Sequence, residues 1–333
     1  MTGVDDLMWR GMRVEDAAAC AELMAAAERV DVTGENYSVD DVAEELADPS
    51  RDLDVDTIAV LDGERLVAMG HLMGSTEVWD VHMIGCPGVV HPDYRGRGIG
   101  TELVQRQLAG AAELHAARHP TVPGKISFGV ADHVGDAVEL VRAAGLEANR
   151  QFFEMERDLR SGVPAPREPV APWRLVPYTA GRDDEVRRAH NLAFRGHYGS
   201  TERDPATWKQ WFTGNRNFRP ELSFLMLDGT DEDAPVAAYL LGYFYDADLA
   251  ATGKRDAWIG QLGTLPPYRG RGAGSVLLNQ ALAAYAGLGY DQAALSVDSA
   301  NGSGALGLYQ RVGFEVTKSW TSWERQIPVR TVG

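Results

Sequence analysis

A chain of 333 residues, 44% hydrophobic and 24% charged, has the make-up of an ordinary globular protein and the length of roughly two domains. Its formal net charge of -16 excludes the basic footprint that wrapping nucleic acid requires, and suits a solubilising surface or a cationic small substrate. The two cysteines, Cys20 and Cys86, stand in no metal or redox spacing and are expected to be reduced thiols.

The acidic opening Met1-Thr2-Gly3-Val4-Asp5-Asp6 lacks the apolar stretch of a signal peptide, and no uninterrupted apolar run reaches the ~20 residues of a membrane helix. The expectation is a cytoplasmic protein without a membrane partner. Residues 7–13 read as a first strand and 14–29, rich in alanine, as a helix. Ser38 followed by Asp40 and Asp41 caps a second helix. Apolar runs at 57–61 and 66–73 flank Asp62-Gly63 and predict a hairpin. A third run, 78–90, is broken at Pro87-Gly88, which suggests a bulge or a splayed strand. A glycine-rich turn and a helix over 101–115 follow, then a strand at 125–130, a short helix at 136–144 ended by Gly145, and a strand at 152–159.

Residues 161–172 hold four prolines and read as a stiff linker. The order then repeats: strand 173–177, helices 183–194 and 205–212, and strands 222–227 and 236–245 joined by the acidic turn 228–233. Next come an apolar run at 258–265, a second glycine-rich turn, a helix over 275–285, a strand at 293–297, a helix at 304–312 and a last strand at 314–324. The chain thus divides into domains 1–160 and 173–333 on either side of the linker.

The two turns are His91-Pro92-Asp93-Tyr94-Arg95-Gly96-Arg97-Gly98-Ile99-Gly100 and Leu265-Pro266-Pro267-Tyr268-Arg269-Gly270-Arg271-Gly272-Ala273-Gly274. A strand, a glycine-rich turn and a helix form a phosphate-holding arrangement. Glycines let the backbone approach closely, the helix start offers free N–H donors, and two arginines can add charge-assisted contacts. The turns differ from a P-loop, which needs Gly-Lys-Ser/Thr, and from the longer dinucleotide fingerprint. Arg95 and Arg269 lie 174 residues apart, and Gly145 and Gly313 lie 168 apart, so the copies align inside each motif and differ by six residues between them.

Arg-x-x-Gly-x-Gly between strand and helix, followed by Asn301 and by Ala305-Leu306-Gly307-Leu308-Tyr309 with Gly313-Phe314, resembles the GNAT superfamily of N-acetyltransferases. The resemblance covers nearly the whole chain. It implies a mixed α/β sheet in each of two tandem GNAT-like domains, mostly antiparallel and splayed at the coenzyme site, with helices on both faces. It also implies acetyl-CoA as cosubstrate, with the turn's main-chain amides on the diphosphate and the preceding strand paired with the pantetheine arm. Carried over by motif, the coenzyme residues are Leu262, Gly263, Thr264, Arg269, Gly270, Arg271, Gly272, Ala273, Gly274, Ser275, Asn301 and Ala305. In the first copy they are Gly88, Val89, Val90, Arg95, Gly96, Arg97, Gly98, Ile99, Gly100 and Thr101.

Acetyl transfer to an amine needs a neutral amine, a stabilised oxyanion and a proton for the leaving thiolate. The resemblance assigns the proton donor to Tyr309, whose phenol is protonated at neutral pH. The same alignment puts Val141 and His133 of the first copy where Tyr309 and Asn301 stand, which predicts a catalytically impaired first domain. The fourth strand lacks the glutamate that many members use as base; Asp298, Asp246, Asp248 and water relayed through Gln261 are the candidates. An aromatic-rich set including His197, Tyr198, Trp208, Tyr243 and Tyr245 is expected to line the acceptor cleft. The histidines show no metal spacing, so no metal is expected. The resulting expectation is an enzyme acting on a primary amine of a small molecule by direct attack, as a monomer or homodimer. The alternatives are a non-catalytic acyl-CoA sensor and a peptide or protein N-acetyltransferase.

Overall fold

The computed structural model describes residues 4–302 and 304–329. The opening Met1-Thr2-Gly3 and Ser303 of the second helical motif lie outside them. Two compact units emerge, one made of residues 1–151 with 319–333 and the other of 152–318.

In the first unit, strand β1 (Met8–Arg10) precedes α1 (Ala17–Asp31), α2 (Val39–Leu46) and the short α3 (Leu53–Asp56). Ser38 caps α2 as its sequence suggests: its hydroxyl accepts from Asp41 N–H and its N–H donates to the Asp41 carboxylate. Strands β2 (Thr57–Asp62) and β3 (Arg65–His71) form the expected antiparallel hairpin. The apolar run that follows is divided into β4 (Met73–Gly74), β5 (His82–Gly85) and β6 (Gly88–Val90), with the break at Cys86-Pro87. The break separates two partners: β6 pairs antiparallel with β3, whereas β5 runs parallel to β7 (Gly124–Ala131). Between them the long helix α4 (Ile99–Arg118) lies over the sheet, and α5 (Gly135–Ala143) follows β7. Apolar residues of α1 and α2 pack with Ala59, Leu66 and Met69, while those of α4 and α5 pack with Ile84, Ile126 and Phe128.

Strand β8 (Glu147–Asp158) begins in the first unit, and its residues 152–158 belong to the second. There the chain forms β9 (Trp173–Pro177), α6 (Asp183–Ala193) and α7 (Pro205–Trp208), the last continued by a π-helical turn at Lys209–Thr213. The rest is β10 (Phe218–Asp228), β11 (Val236–Tyr243), α8 (Asp246–Thr252), β12 (Asp256–Thr264), α9 (Ala273–Gly287), β13 (Gln292–Asp298) and α10 (Ala305–Arg311). The strands run β9-β10-β11-β12-β13 and then residues 152–158 of β8, which pair with β13 from Gln292↔Asp158 to Asp298↔Phe152. All neighbours are antiparallel except β12 and β13. One face is covered by α9, through Leu277, Leu278, Ala281 and Leu282, and the other by α6, through Val186 and Ala189.

The last strand, β14 (Glu315–Ile327), completes the first unit, pairing with β7 from Trp320↔Ala131 to Ile327↔Gly124. The units therefore cut across the domains drawn at 160 and 173 from sequence. The strand that ends the first copy completes the second unit's sheet, and the strand that ends the second copy completes the first's. A chain cut after residue 160 would leave β7 without this neighbour, and exposed strand edges promote aggregation. Such a fragment is expected to be insoluble or to melt without a cooperative transition. A soluble 1–160 fragment with a cooperative thermal transition would contradict this strand exchange.

Among the described residues no helix is long and apolar enough to cross a membrane, and no group of His, Cys, Asp and Glu could hold a metal ion.

Candidate active site

The second unit's site is built on an irregularity in β12. Its first half, Asp256 to Ile259, runs beside β13, from Asp256↔Gln292 to Ile259↔Leu295. Its second half continues only beside β11, from Leu241↔Gln261 to Ala238↔Thr264. Gly260 is the extra residue between Gln261, opposite Leu241, and Ile259, opposite Gly242. Such a bulge bends the strand and ends pairing on one side. Glycine is required there, because a Cβ would lie 2.4 Å from Tyr243 Cε2. Beyond the bulge, the edge of β12 turned away from β11 has no ladder partner among the described strands. An extended ligand can add to that edge through main-chain hydrogen bonds.

The edge leads into the glycine turn. Gly272 is the N-cap of α9 with φ 88°, a left-handed conformation that glycine adopts without strain. Val276 N–H already reaches Gly272 C=O, and the N–H groups of Ala273, Gly274 and Ser275 precede the first intrahelical bond. They present donors and a positive dipole end at the mouth of the splay. Gly274 serves the packing instead. A Cβ on it would sit 3.2 Å from Leu308 Cδ2, so its absence lets α9 and α10 approach. The arginines are more engaged with protein than the sequence suggests. Arg269 donates to Thr264 C=O at 3.1 Å and to Ala193 C=O at 2.6 Å, tying the turn to the strand end and to the end of α6. The Arg271 guanidinium lies 4.5 Å from the Trp173 ring centroid.

Helix α10 carries Tyr309. The residue is 8% exposed, its ring is 6.0 Å from that of Phe314, and Ala305 and Leu308 pack beside it against the same core. Burial pushes the Tyr309 phenol up to about 12, so it holds its proton at neutral pH. Asn301 donates from Nδ2 to His197 Nε2 at 3.0 Å, which brings the loop after α6 to the end of β13. Asp298 is buried and accepts from Ala300 N–H at 2.9 Å, organising that same turn. Asp246 and Asp248 begin α8, and Asp246 faces Arg219 at 3.7 Å.

A cavity of about 350 Å³ opens on the other side of the bulge, lined by Trp211, Phe212, Asn215, Tyr243, Tyr245, Trp258, Gly260 and Gln261. Tyr243 and Tyr245 stand where the sequence suggests. Trp208 does not line it. It is 1% exposed, its indole N–H donates to Asp183 at 2.9 Å, and it stacks on Phe212 at 4.5 Å, so its role is in the core. Tyr198 packs near Phe152, with ring centroids 6.3 Å apart. Phe212, Asn215, Trp258 and Gly260 went unnoticed in the sequence. The signal was a period-two pattern: Trp258 and Gly260, like Tyr243 and Tyr245, are two residues apart.

The first unit repeats the strand edge and the glycine turn of this geometry. Strand β6 is the edge of the sheet β1-β2-β3-β6, so among the described strands Gly88, Val89 and Val90 have a ladder partner only in β3. Gly98 caps α4 with φ 83°, Ile99 and Thr101 lie in the first turn of that helix, and Gly100 approaches Leu140 Cδ2 as Gly274 approaches Leu308. Arg95 donates to Val90 C=O and grips the Asp31 carboxylate with two 2.7 Å bonds. Arg97 lies over Tyr94, at 4.6 Å. Val141 is buried at 3% exposure and has no proton to give, and His133 bonds the Asp31 carbonyl at 2.7 Å.

Comparison with known proteins converges on this arrangement. The family model described as Acetyltransferase (GNAT) family matches residues 20–122 and 184–314. A mycothiol acetyltransferase of Thermobispora bispora is 31% identical over 236 residues, which are 68% of this chain and 70% of that protein. The GCN5-related N-acetyltransferase of Sphaerobacter thermophilus superposes with TM-score 0.74 at 25% identity, covering 98% of this chain and 97% of the other. A tandem GNAT protein from the clavulanic acid biosynthesis pathway shares the fold, with TM-score 0.69 at 19% identity over 96% of this chain and 98% of its own. With two matched regions, a tandem layout like that of mycothiol synthase, and a splayed strand running into a glycine turn in each unit, this chain belongs to the acetyltransferase (GNAT) family.

Proposed function

We propose that this protein transfers the acetyl group of acetyl-CoA to a primary amine of a small molecule, and that the second unit performs the chemistry. Membership in the family implies acetyl-CoA as the acyl donor. One observation carries the rest: the open edge of β12 has the start of α9 at one end and an aromatic cavity at its bulge. The edge at Leu262, Gly263 and Thr264 suits the pantetheine arm, and the N–H groups of Ala273, Gly274 and Ser275 suit the diphosphate.

A neutral amine held in the cavity attacks the thioester carbonyl, the C–S bond breaks, and the thiolate takes the Tyr309 proton. Gln261 lines the cavity and can hold the water that removes the amine proton. Direct attack is favoured over an acyl-enzyme. Both cysteines are buried in the first unit, where burial pushes Cys20 up to about 12 and Cys86 well above its usual value. In the first unit Val141 replaces the phenol, which supports a structural or coenzyme-holding role there. The relatives named mycothiol acetyltransferase support a small-molecule acceptor.

The test is a thiol-release assay with acetyl-CoA over an amine panel, with mass spectrometry of the product. An acetylated amine in step with free thiol supports the proposal. Coenzyme binding without thiol release for any amine would favour a sensor instead.

A further inference from the structure

The α6–α7 segment holds a half-buried cation, Arg203, that the reaction just described does not use. Three hydrogen bonds pin the backbone of Arg203: its N–H donates to Asn191 Oδ1 at 2.9 Å, and its C=O accepts from Asn191 Nδ2 at 3.1 Å and from Arg187 Nη1 at 2.9 Å. Its guanidinium is poorly served by comparison. Nε is buried without a hydrogen-bond partner, and among the described residues no carboxylate forms an ion pair with it. Asp204, its neighbour in sequence, directs its carboxylate to Ala206 N–H and Thr207 N–H as the cap of α7. Burial and the nearby Arg203 bring His190 down to about 3, so it stays neutral and adds no second positive charge beside the guanidinium. Burial also lowers the Arg203 pKa, against a small opposing pull from Asp204.

Withdrawing part of a cation from water without an anion carries a cost, so such a group is a ready receptor for one. Its place indicates which. The guanidinium carbon lies 5.8 Å from the centroid of the Phe212 ring, and Phe212 lines the aromatic cavity. Phe212 is thus shared between the cavity and the cation.

Building on the acetyltransferase reading, we propose that the acceptor amine carries a carboxylate, and that Arg203 receives this carboxylate while the aromatic cavity receives the ring or apolar body attached to it. The acceptor class is then an amino acid with an aromatic or large apolar side chain, or a close derivative with a free carboxylate. A planar guanidinium offers a carboxylate paired donors, which a lysine cannot match.

The test does not depend on turnover. Trp211 and Trp258 line the cavity, so intrinsic fluorescence of the full chain reports occupancy. It is titrated with 3-phenylpropionate and with its neutral twin, 3-phenylpropionamide. The acid is expected to bind about 10–100-fold more tightly. Arg203→Met is expected to erase that preference with amide affinity unchanged, and Arg203→Lys to restore part of it. Equal affinity of the two probes for the unaltered protein, or binding of neither, overturns the proposal. So does an Arg203→Met variant that weakens acetyl-CoA alone, which would assign the cation to a coenzyme phosphate. Failure of the acetyltransferase reading appears separately, as absent thiol release.

Discussion

Replacing Tyr309 with Phe is expected to lower kcat by about 10²–10⁴-fold while leaving acetyl-CoA affinity and the thermal transition nearly unchanged. The ring does the packing, next to Phe314 and the apolar face of α10, and phenylalanine keeps that ring. What is lost is the proton that burial keeps on the oxygen. The reciprocal case stands in the same chain, where Val141 holds the matching place in the first unit and packs without a donor. A Tyr309→Phe rate within about twofold of the unaltered enzyme would remove the phenol from the mechanism.

Asp183→Ala is expected to cost about 2–5 kcal/mol of stability in the second unit. Asp183 is 7% exposed, and its carboxylate accepts from Tyr178 hydroxyl at 2.7 Å and Trp208 Nε1 at 2.9 Å, with Lys209 alongside. Truncation strands two buried donors beneath Phe212, the residue that walls the cavity. Burial on its own raises the Asp183 pKa, but the hydrogen bonds from Lys209, Trp208 and Tyr178 outweigh it and hold the carboxyl below the usual range. A depressed carboxylate stabilises the fold above its unfolded pKa of ~3.9 and loses that contribution as pH falls through the folded value. The difference in chemical-denaturation stability between native chain and Asp183→Ala should therefore be full at neutral pH and shrink below about pH 4. A difference that grows on acidification would refute this account of the network.

The strand edge and glycine turn of each unit were legible because they rest on local rules. Glycines at left-handed positions, helix starts and the matched spacing inside each copy are all written in neighbouring residues. The structure returns that spacing as matched contacts, Gly100 on Leu140 and Gly274 on Leu308. What sequence hid is non-local. Residues 152–158 and 319–327 are good strands wherever they pair, so nothing in them declared that each completes the other copy's sheet. Trp208 and Tyr243 are both aromatic and close to the cleft in sequence order. Only the bulge at Gly260, over which Tyr243 lies, and the carboxylate of Asp183, which draws Trp208 inward, decide which one lines the cavity. The arginines of the turns are a similar case: Arg95 finds Asp31 at the end of α1, and Arg269 finds Ala193 at the end of α6. Cations at helix ends are favourable placements, and they leave the anion to main-chain donors.

The mechanism requires acetyl-CoA to lie along β12 beyond Gly260 with its sulfur beside Tyr309. A crystal structure of the full chain with coenzyme A tests this most directly. The expected result is pantetheine paired with Leu262 to Thr264, the diphosphate at the first turn of α9, and the sulfur within about 3.5 Å of the Tyr309 hydroxyl. Coenzyme bound only at β6 of the first unit, or a sulfur beyond reach of Tyr309, would contradict it.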